Sequence, residues 1–257
     1  MEKKIILSEN DLHQGNLILV NLDFPLQNCG KRALIAADER FPGILMEREA
    51  ANVLRYVLEE IGGGEEIVPV SGYRSREEQT AIFEDSLRDN GETFTRKFVA
   101  LPDHSEHQTG LAIDLALKKE KIDFICPDFP QDGICGTFRK AAVKYGFIER
   151  YPKEKEQVTG IAHEPWHFRY VGYPHSEIMK KHGFVLEEYI GFLRRFPMDG
   201  EHLHLKREKR HIEVFYVPAD SEGTAAVLIP EQSCYDLSGN NIDGFIVTLW
   251  RNEDEQG

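Results

Sequence analysis

Three observations predict an α+β protein. Two helices with clear start and stop signals stand at residues 47–61 and 76–88. Short apolar strands lie between and after them. Beyond Gly200 the texture changes to strands and turns alone. The 257 residues suffice for one large domain, or for one domain and a small appendage. With 41% apolar and 29% charged residues, a packed soluble core is expected.

Residues 1–40 read as irregular, because Asn, Asp, Pro and Gly break the apolar pieces. From Glu47 to Ile61, Ala50, Val53, Leu54, Val57, Leu58 and Ile61 follow the i, i+3, i+4 spacing of an amphipathic helix, stopped by Gly62-Gly63-Gly64. Ile67-Val68-Pro69-Val70 is a short strand. Ser75 with Glu78 three residues later forms a capping box, which predicts a helix from Arg76 to Arg88. Leu111–Leu117 reads as a strand, Phe138–Tyr145 as a short helix closed by Gly146, and His167–Val171 as a strand. Helices follow near Ser176–Lys181 and Leu186–Arg195. Strands are expected at 202–206, 211–217, 224–229 and 244–250, separated by polar turns. The expected division is a domain at 1–199 and a β-rich appendage of antiparallel strands at 200–257.

Composition narrows the function. A net charge of −13 argues against a nucleic-acid partner, which needs clustered Lys and Arg. The run Lys206-Arg207-Glu208-Lys209-Arg210 reads as a solvated strand or turn face. No segment reaches the roughly 20 apolar residues of a membrane span. The apolar run near Met1 is too short for a signal-peptide core, so a cytoplasmic location is expected. Cys29, Cys126, Cys135 and Cys234 form no Cys-x-x-Cys pair and read as free thiols.

Chemistry concentrates in two segments. Ser105-Glu106-His107-Gln108-Thr109-Gly110-Leu111-Ala112-Ile113-Asp114 carries an imidazole and a carboxylate; Glu164-Pro165-Trp166-His167 carries another of each. A zinc ion in a hydrolase commonly takes three His, Asp or Glu ligands and leaves a position for water, whose pKa falls to about 7. His107, Asp114 and His167 can be those ligands, with one ion bound. Glu164, three residues before a ligand, can be the general base. Gly110 permits a sharp turn after His107. Ala112 and Asp114 share a side of the emerging strand, where a small Ala leaves room beside the metal. A lone His-x6-Asp or Glu-x-x-His is common by chance; the joint pattern is far more specific. His202 and His204 lie on one strand face, but no third ligand stands near them in sequence.

Ser-x-His-x-x-Gly-x-Ala-x-Asp at Ser105–Asp114 and Glu-Pro-Trp-His at Glu164–His167 resemble the zinc D-alanyl-D-alanine peptidases. That family includes VanY-type D,D-carboxypeptidases, VanX D,D-dipeptidases and bifunctional VanXY enzymes. Ser71-Gly72-Tyr73-Arg74-Ser75, with Gln79, resembles the family's upstream motif. The resemblance spans roughly Glu47–Tyr189 and leaves the β appendage aside. It implies a small antiparallel sheet with flanking helices around one Zn2+. It implies hydrolysis of D-Ala-D-Ala, as the dipeptide or at the end of a peptidoglycan precursor, in support of glycopeptide (vancomycin) resistance. It further implies that Arg74 stabilises the developing oxyanion and that Ser105 and Gln79 hold the substrate carboxylate. Trp166 is placed as a pocket wall or a core aromatic. A wall-cleaving endopeptidase on the same scaffold, or a binding protein without chemistry, is the alternative.

Overall fold

The computed structural model describes residues 2–27, 32–207, 210–231 and 233–252. The order is β1 (Glu2–Leu7), α1 (Glu9–Leu12), β2 (Leu34–Ala36), β3 (Leu45–Glu47), α2 (Arg48–Glu60), β4 (Ile67–Ser71), α3 (Arg76–Asn90) and α4 (Glu92–Phe98). Then come β5 (Ala112–Leu117), α5 (Gly133–Ala142), β6 (Phe147–Tyr151), α6 (Glu156–Thr159), β7 (Glu164–Tyr170), α7 (His175–His182) and α8 (Leu186–Leu193). The last strands are β8 (Leu203–Arg207), β9 (Arg210–Pro218), β10 (Ala225–Pro230), β11 (Cys234–Gly239) and β12 (Gly244–Asn252). The α+β expectation holds: helices surround small antiparallel sheets.

Two compact units emerge. One comprises Val20–Leu26 and Lys31–Val185; the other comprises Met1–Leu19, Gln27–Gly30 and Leu186–Gly257. This differs from a boundary at 199, because β1 pairs with β10 and the segment from α8 onward joins the C-terminal strands.

The first unit is built on a four-stranded sheet in the order β4-β5-β7-β6. α2 buries Ala50, Ala51, Leu54, Val57 and Leu58 in its core, the stripe its spacing dictates. Full burial of each large aliphatic contributes about 1.5–3 kcal/mol. Glu47 caps this helix, accepting from the amides of Glu49 and Ala50. The Ser75–Glu78 capping box opens α3. Phe129, Phe138 and Phe168 meet edge to face at 5.0–5.9 Å under the sheet.

The second unit holds a four-stranded sheet in the order β11-β12-β9-β8 and the β1–β10 pair. Its own core gathers Leu7, Leu12, Phe215, Val217, Val227, Ile229, Phe245, Val247 and Leu249. Here His202 Nδ1 donates to Glu213 at 2.5 Å and its ring stacks on Phe215, and Glu213 also pairs with Arg251. Among the described residues, the only close group of three potential metal ligands lies elsewhere.

Several expectations shift. β1, α1 and β2 form within the stretch read as irregular. α4, β6 and β11 were not expected, and α5 begins at Gly133 rather than Phe138. Glycine at 136 has a packing reason: a Cβ there would stand 2.5 Å from the Gln131 carbonyl. Cys126, Cys135 and Cys234 are free thiols, while Cys29, Glu208 and Lys209 lie outside the described residues. Among the described residues, no helix is long and apolar enough to cross a membrane.

Candidate active site

The site is assembled by three neighbouring strands and the turn before one of them. A 3-10 turn, Glu106–Thr109, presents His107 and ends at Gly110, whose φ of 72° is the left-handed conformation foreseen there. β5 then carries Asp114, which pairs directly across the ladder with His167 of β7. On β4 the register shifts between Pro69 and Ser71, so that Ser71 faces Asp114.

A regular strand sends residues i and i+3 to opposite faces. Glu164 and His167 escape this rule because the β6–β7 ladder slips. Glu149 pairs with Phe168, but Tyr151 pairs with Glu164, leaving Pro165 and Trp166 as extra residues on β7. The carboxylate and imidazole thereby converge, with Glu164 Oε2 3.8 Å from His167 Nδ1. The bulge frees the Pro165 carbonyl, which accepts from Arg139 Nη2 at 2.5 Å. Arg139 also donates to the Phe129 and Pro130 carbonyls and pairs with Glu149 at 2.7 Å.

His107, Asp114 and His167 are buried, and one ligand atom from each lies within 4.8 Å of the others. Their hydrogen bonds show which nitrogens face inward. His107 Nδ1 stands 2.7 Å from the Gly72 carbonyl, which can only accept, so Nδ1 carries the proton. The lone pair of Nε2 then points at Asp114 Oδ2, 3.1 Å away. His167 Nδ1 likewise faces Asp114 Oδ1 at 2.9 Å. Acceptors facing acceptors across a buried gap call for a cation between them. Two imidazole nitrogens and a carboxylate are a suitable donor set for zinc.

Without a metal, a proton takes that role. Burial disfavours the His167 cation, but hydrogen bonds to Asp114 and Glu106 outweigh it and raise its pKa to about 9. His107 moves the other way, lowered by burial and by Arg74. Asp114 stays well below the usual carboxylate range; burial opposes ionisation, and the two histidines overcome it. Glu164 behaves oppositely. Burial pushes it up to about 8, with Asp114 adding repulsion while His167 and Arg74 partly compensate.

Arg74 reaches into the same cleft. Its Nε donates to Ser71 Oγ at 2.9 Å, Nη1 to Gln79 Oε1 at 3.3 Å and Nη2 to Asp114 Oδ2 at 3.1 Å. The cleft is lined by Arg74, Ser105, His107, Glu164, Trp166 and His167 among others. Trp166 lines the cleft and also packs in the core. Gln79, expected to help hold the substrate carboxylate, is buried beside Arg74. It does not line the cleft, and its amide is engaged with Arg74 and, at 2.7 Å, the Ala100 carbonyl.

Sequence reading missed four residues here: Glu106, Arg139, Arg150 and Arg169. The available signal was a charge inside an apolar strand pattern, as in Phe168-Arg169-Tyr170-Val171, where burial demands a partner.

The family model "VanY: D-alanyl-D-alanine carboxypeptidase" matches residues 44–173. The chain is 42% identical over 181 residues to the bifunctional D-Ala-D-Ala dipeptidase and D-Ala-D-Ala carboxypeptidase VanXYC of Enterococcus gallinarum, covering 70% of this chain and 95% of that one. It is 34% identical to a D-alanyl-D-alanine carboxypeptidase of Enterococcus faecium, over 95% of this chain and 78% of the other. Among solved structures, the vancomycin resistance D,D-dipeptidase VanXYg, in complex with a D-Ala-D-Ala phosphinate analog, superposes with a TM-score of 0.95. Identity to it is 57%, with 98% of this chain and 100% of that chain covered. A VanY D,D-pentapeptidase point mutant in complex with Zn(II) matches at a TM-score of 0.59 and 26% identity, over 68% of this chain and 98% of that chain.

Proposed function

Because the chain belongs to the VanY family of D-alanyl-D-alanine carboxypeptidases, we propose that it is a zinc hydrolase of D-Ala-D-Ala peptide bonds. It would act on the free dipeptide and on D-Ala-D-Ala-terminated peptidoglycan precursors, like the bifunctional VanXYC it resembles. The observation that carries this reading is the convergence of His107, Asp114 and His167 with Glu164 and Arg74 in one cleft. Removing the D-Ala-D-Ala terminus would deplete the precursors that glycopeptides recognise, so the role is vancomycin resistance. We place the reaction in the cytoplasm, where dipeptide and soluble precursors are made.

His107, Asp114 and His167 would hold one zinc ion, through His107 Nε2, an Asp114 carboxylate oxygen and His167 Nδ1. Bound zinc supplies a Lewis acid that polarises the scissile carbonyl and lowers the pKa of a water molecule. Glu164 would take a proton from the attacking water as the water oxygen bonds to the carbonyl carbon. When the C–N bond breaks, Glu164 returns the proton to the departing amine, and D-alanine leaves. Buried 3.8 Å from His167, the Glu164 carboxyl stands beside the proposed ligands, where it can serve both transfers. Arg74, fixed by Ser71 and Gln79, offers its guanidinium to the developing oxyanion. Ser105 lies on the cleft wall, where it can meet the substrate carboxylate; Gln79 contributes by holding Arg74.

The test compares hydrolysis of D-Ala-D-Ala with that of a D-Ala-D-Ala-terminated pentapeptide precursor, with and without a zinc chelator. Chelator-sensitive release of D-alanine from both substrates is expected. Lysis of intact wall sacculi with neither substrate cut would point instead to an endopeptidase.

A further inference from the structure

Glu106 lies between two residues of the motif, yet its side chain is fully buried. Its Oε1 accepts from Arg150 Nε at 2.8 Å and lies 3.0 Å from Arg169 Nη1. Arg150 comes from β6 and Arg169 from β7, and both are fully buried. The other oxygen, Oε2, lies 3.4 Å from His167 Nε2. That nitrogen is on the side of the ring away from the cation gap, since Nδ1 faces Asp114.

We infer that Glu106 is a positioning residue, which fixes the proton of His167 on Nε2 and leaves Nδ1 free to ligate metal. A neutral imidazole has one donor and one acceptor nitrogen, and the partner of one decides the state of the other. The ring plane is already set by packing: Tyr151 lies 4.9 Å away and His107 meets it edge-on at 5.0 Å. Packing does not choose between tautomers, whereas a carboxylate oxygen does, because it can only accept. The two arginines hold that carboxylate in its acceptor-only form and fix its direction. His107 receives the same instruction from the Gly72 carbonyl, so each imidazole has its own acceptor behind it.

The inference rests on the zinc reading of the triad, and the experiment separates the two. Zinc dissociation constants are measured by chelator competition on the parent chain, Glu106→Gln and Glu106→Ala. Near-ultraviolet circular dichroism confirms that each variant is folded. Both variants are expected to bind zinc about 10–100-fold more weakly than the parent. The amide of Gln weakens binding because it must turn its NH2 either to His167 or to the arginines. Parent-like affinity in a folded variant overturns the role of Glu106, and failure of the parent to bind zinc overturns the zinc reading itself. Nitrogen-15 spectra of the histidine-labelled, zinc-loaded parent supply a readout needing no variant. His167 is expected with its proton on Nε2, and a proton on Nδ1 would overturn the inference.

Discussion

Glu164 and His167 stand three residues apart on one strand and still face the same point, 3.8 Å from carboxylate to imidazole. The slip in the β6–β7 ladder makes this possible. It turns a strand that would separate Glu164 from His167 into one that brings them together.

Glu164→Gln should retain zinc and lose turnover by about 10^2–10^4-fold, the usual share of a general acid–base group. It should also stabilise the metal-free protein. The folded pKa of Glu164, about 8, lies above its ordinary 4.5. Its contribution to stability is therefore present below pH 4.5 and lost as pH rises through about 8. Gln has no charge to bury, so thermal unfolding of the chelated variant at pH 8.5 should occur roughly 5 °C above the parent. An unchanged melting temperature would contradict the buried-carboxyl account.

Zinc affinity should rise with pH. Without metal, His167 keeps its proton up to a pKa of about 9, and ligation displaces it. His107 is already neutral near pH 7, because its pKa is lowered from 6.5. Binding displaces the His167 proton and, below about pH 8, that of Glu164 as well, so the association constant should gain tenfold or more per pH unit below about 8 and level off above about 9. Chelator competition at several pH values measures the slope; a slope near zero would mean that His167 is neutral before binding.

Gly72→Ala should weaken both fold and metal site. A Cβ at 72 would stand 2.2 Å from the Leu45 carbonyl oxygen, a backbone atom. Relief requires moving the backbone whose carbonyl orients His107. The expected result is a loss of about 1–3 kcal/mol in stability together with weaker zinc binding, read by denaturant titration and chelator competition.

Arg139→Met should lower turnover although Arg139 touches no ligand. It removes the donor that satisfies the Pro165 carbonyl, leaving the bulge without its clamp. A buried acceptor deprived of its partner costs about 1–3 kcal/mol. Steady-state kinetics should show kcat falling more than KM changes, since Glu164 and His167 sit on either side of Pro165 and Trp166.

Arg74→Lys should cost about 10^2–10^3-fold in kcat while zinc stays bound. A lysine ammonium cannot span Ser71, Gln79 and Asp114 as the guanidinium does. Near-parent kcat in this variant would remove Arg74 from the oxyanion role.

Much of the first unit was legible because local signals agreed with the packing. The stripe on α2, the Ser75–Glu78 box and the Gly110 turn each stand where spacing and backbone freedom place them. The grouping of His107, Asp114 and His167 was legible because they sit at fixed offsets in two short segments. What escaped depended on distant partners. β1, Glu2-Lys3-Lys4-Ile5-Ile6-Leu7, carries no alternation of polar and apolar residues and gains its ladder from β10. Glu106, Arg150 and Arg169 look like surface charges until the sheet buries all three together. Arg139 gained its meaning from a bulge that no local pattern announces.

The pairing of Glu2 with Pro230 and of Leu7 with Ala225 has a consequence for biosynthesis. Once it leaves the ribosome, this strand must wait for a partner more than 200 residues downstream. At about 5–20 residues per second, that wait lasts on the order of 10–45 s. During it, the peptidase unit can complete its own sheet, while an edge carrying the exposed Ile6 stays unpaired. A nascent-chain intermediate with a formed β4-β5-β7-β6 sheet and a protease-sensitive N-terminus is the state that a chaperone would meet.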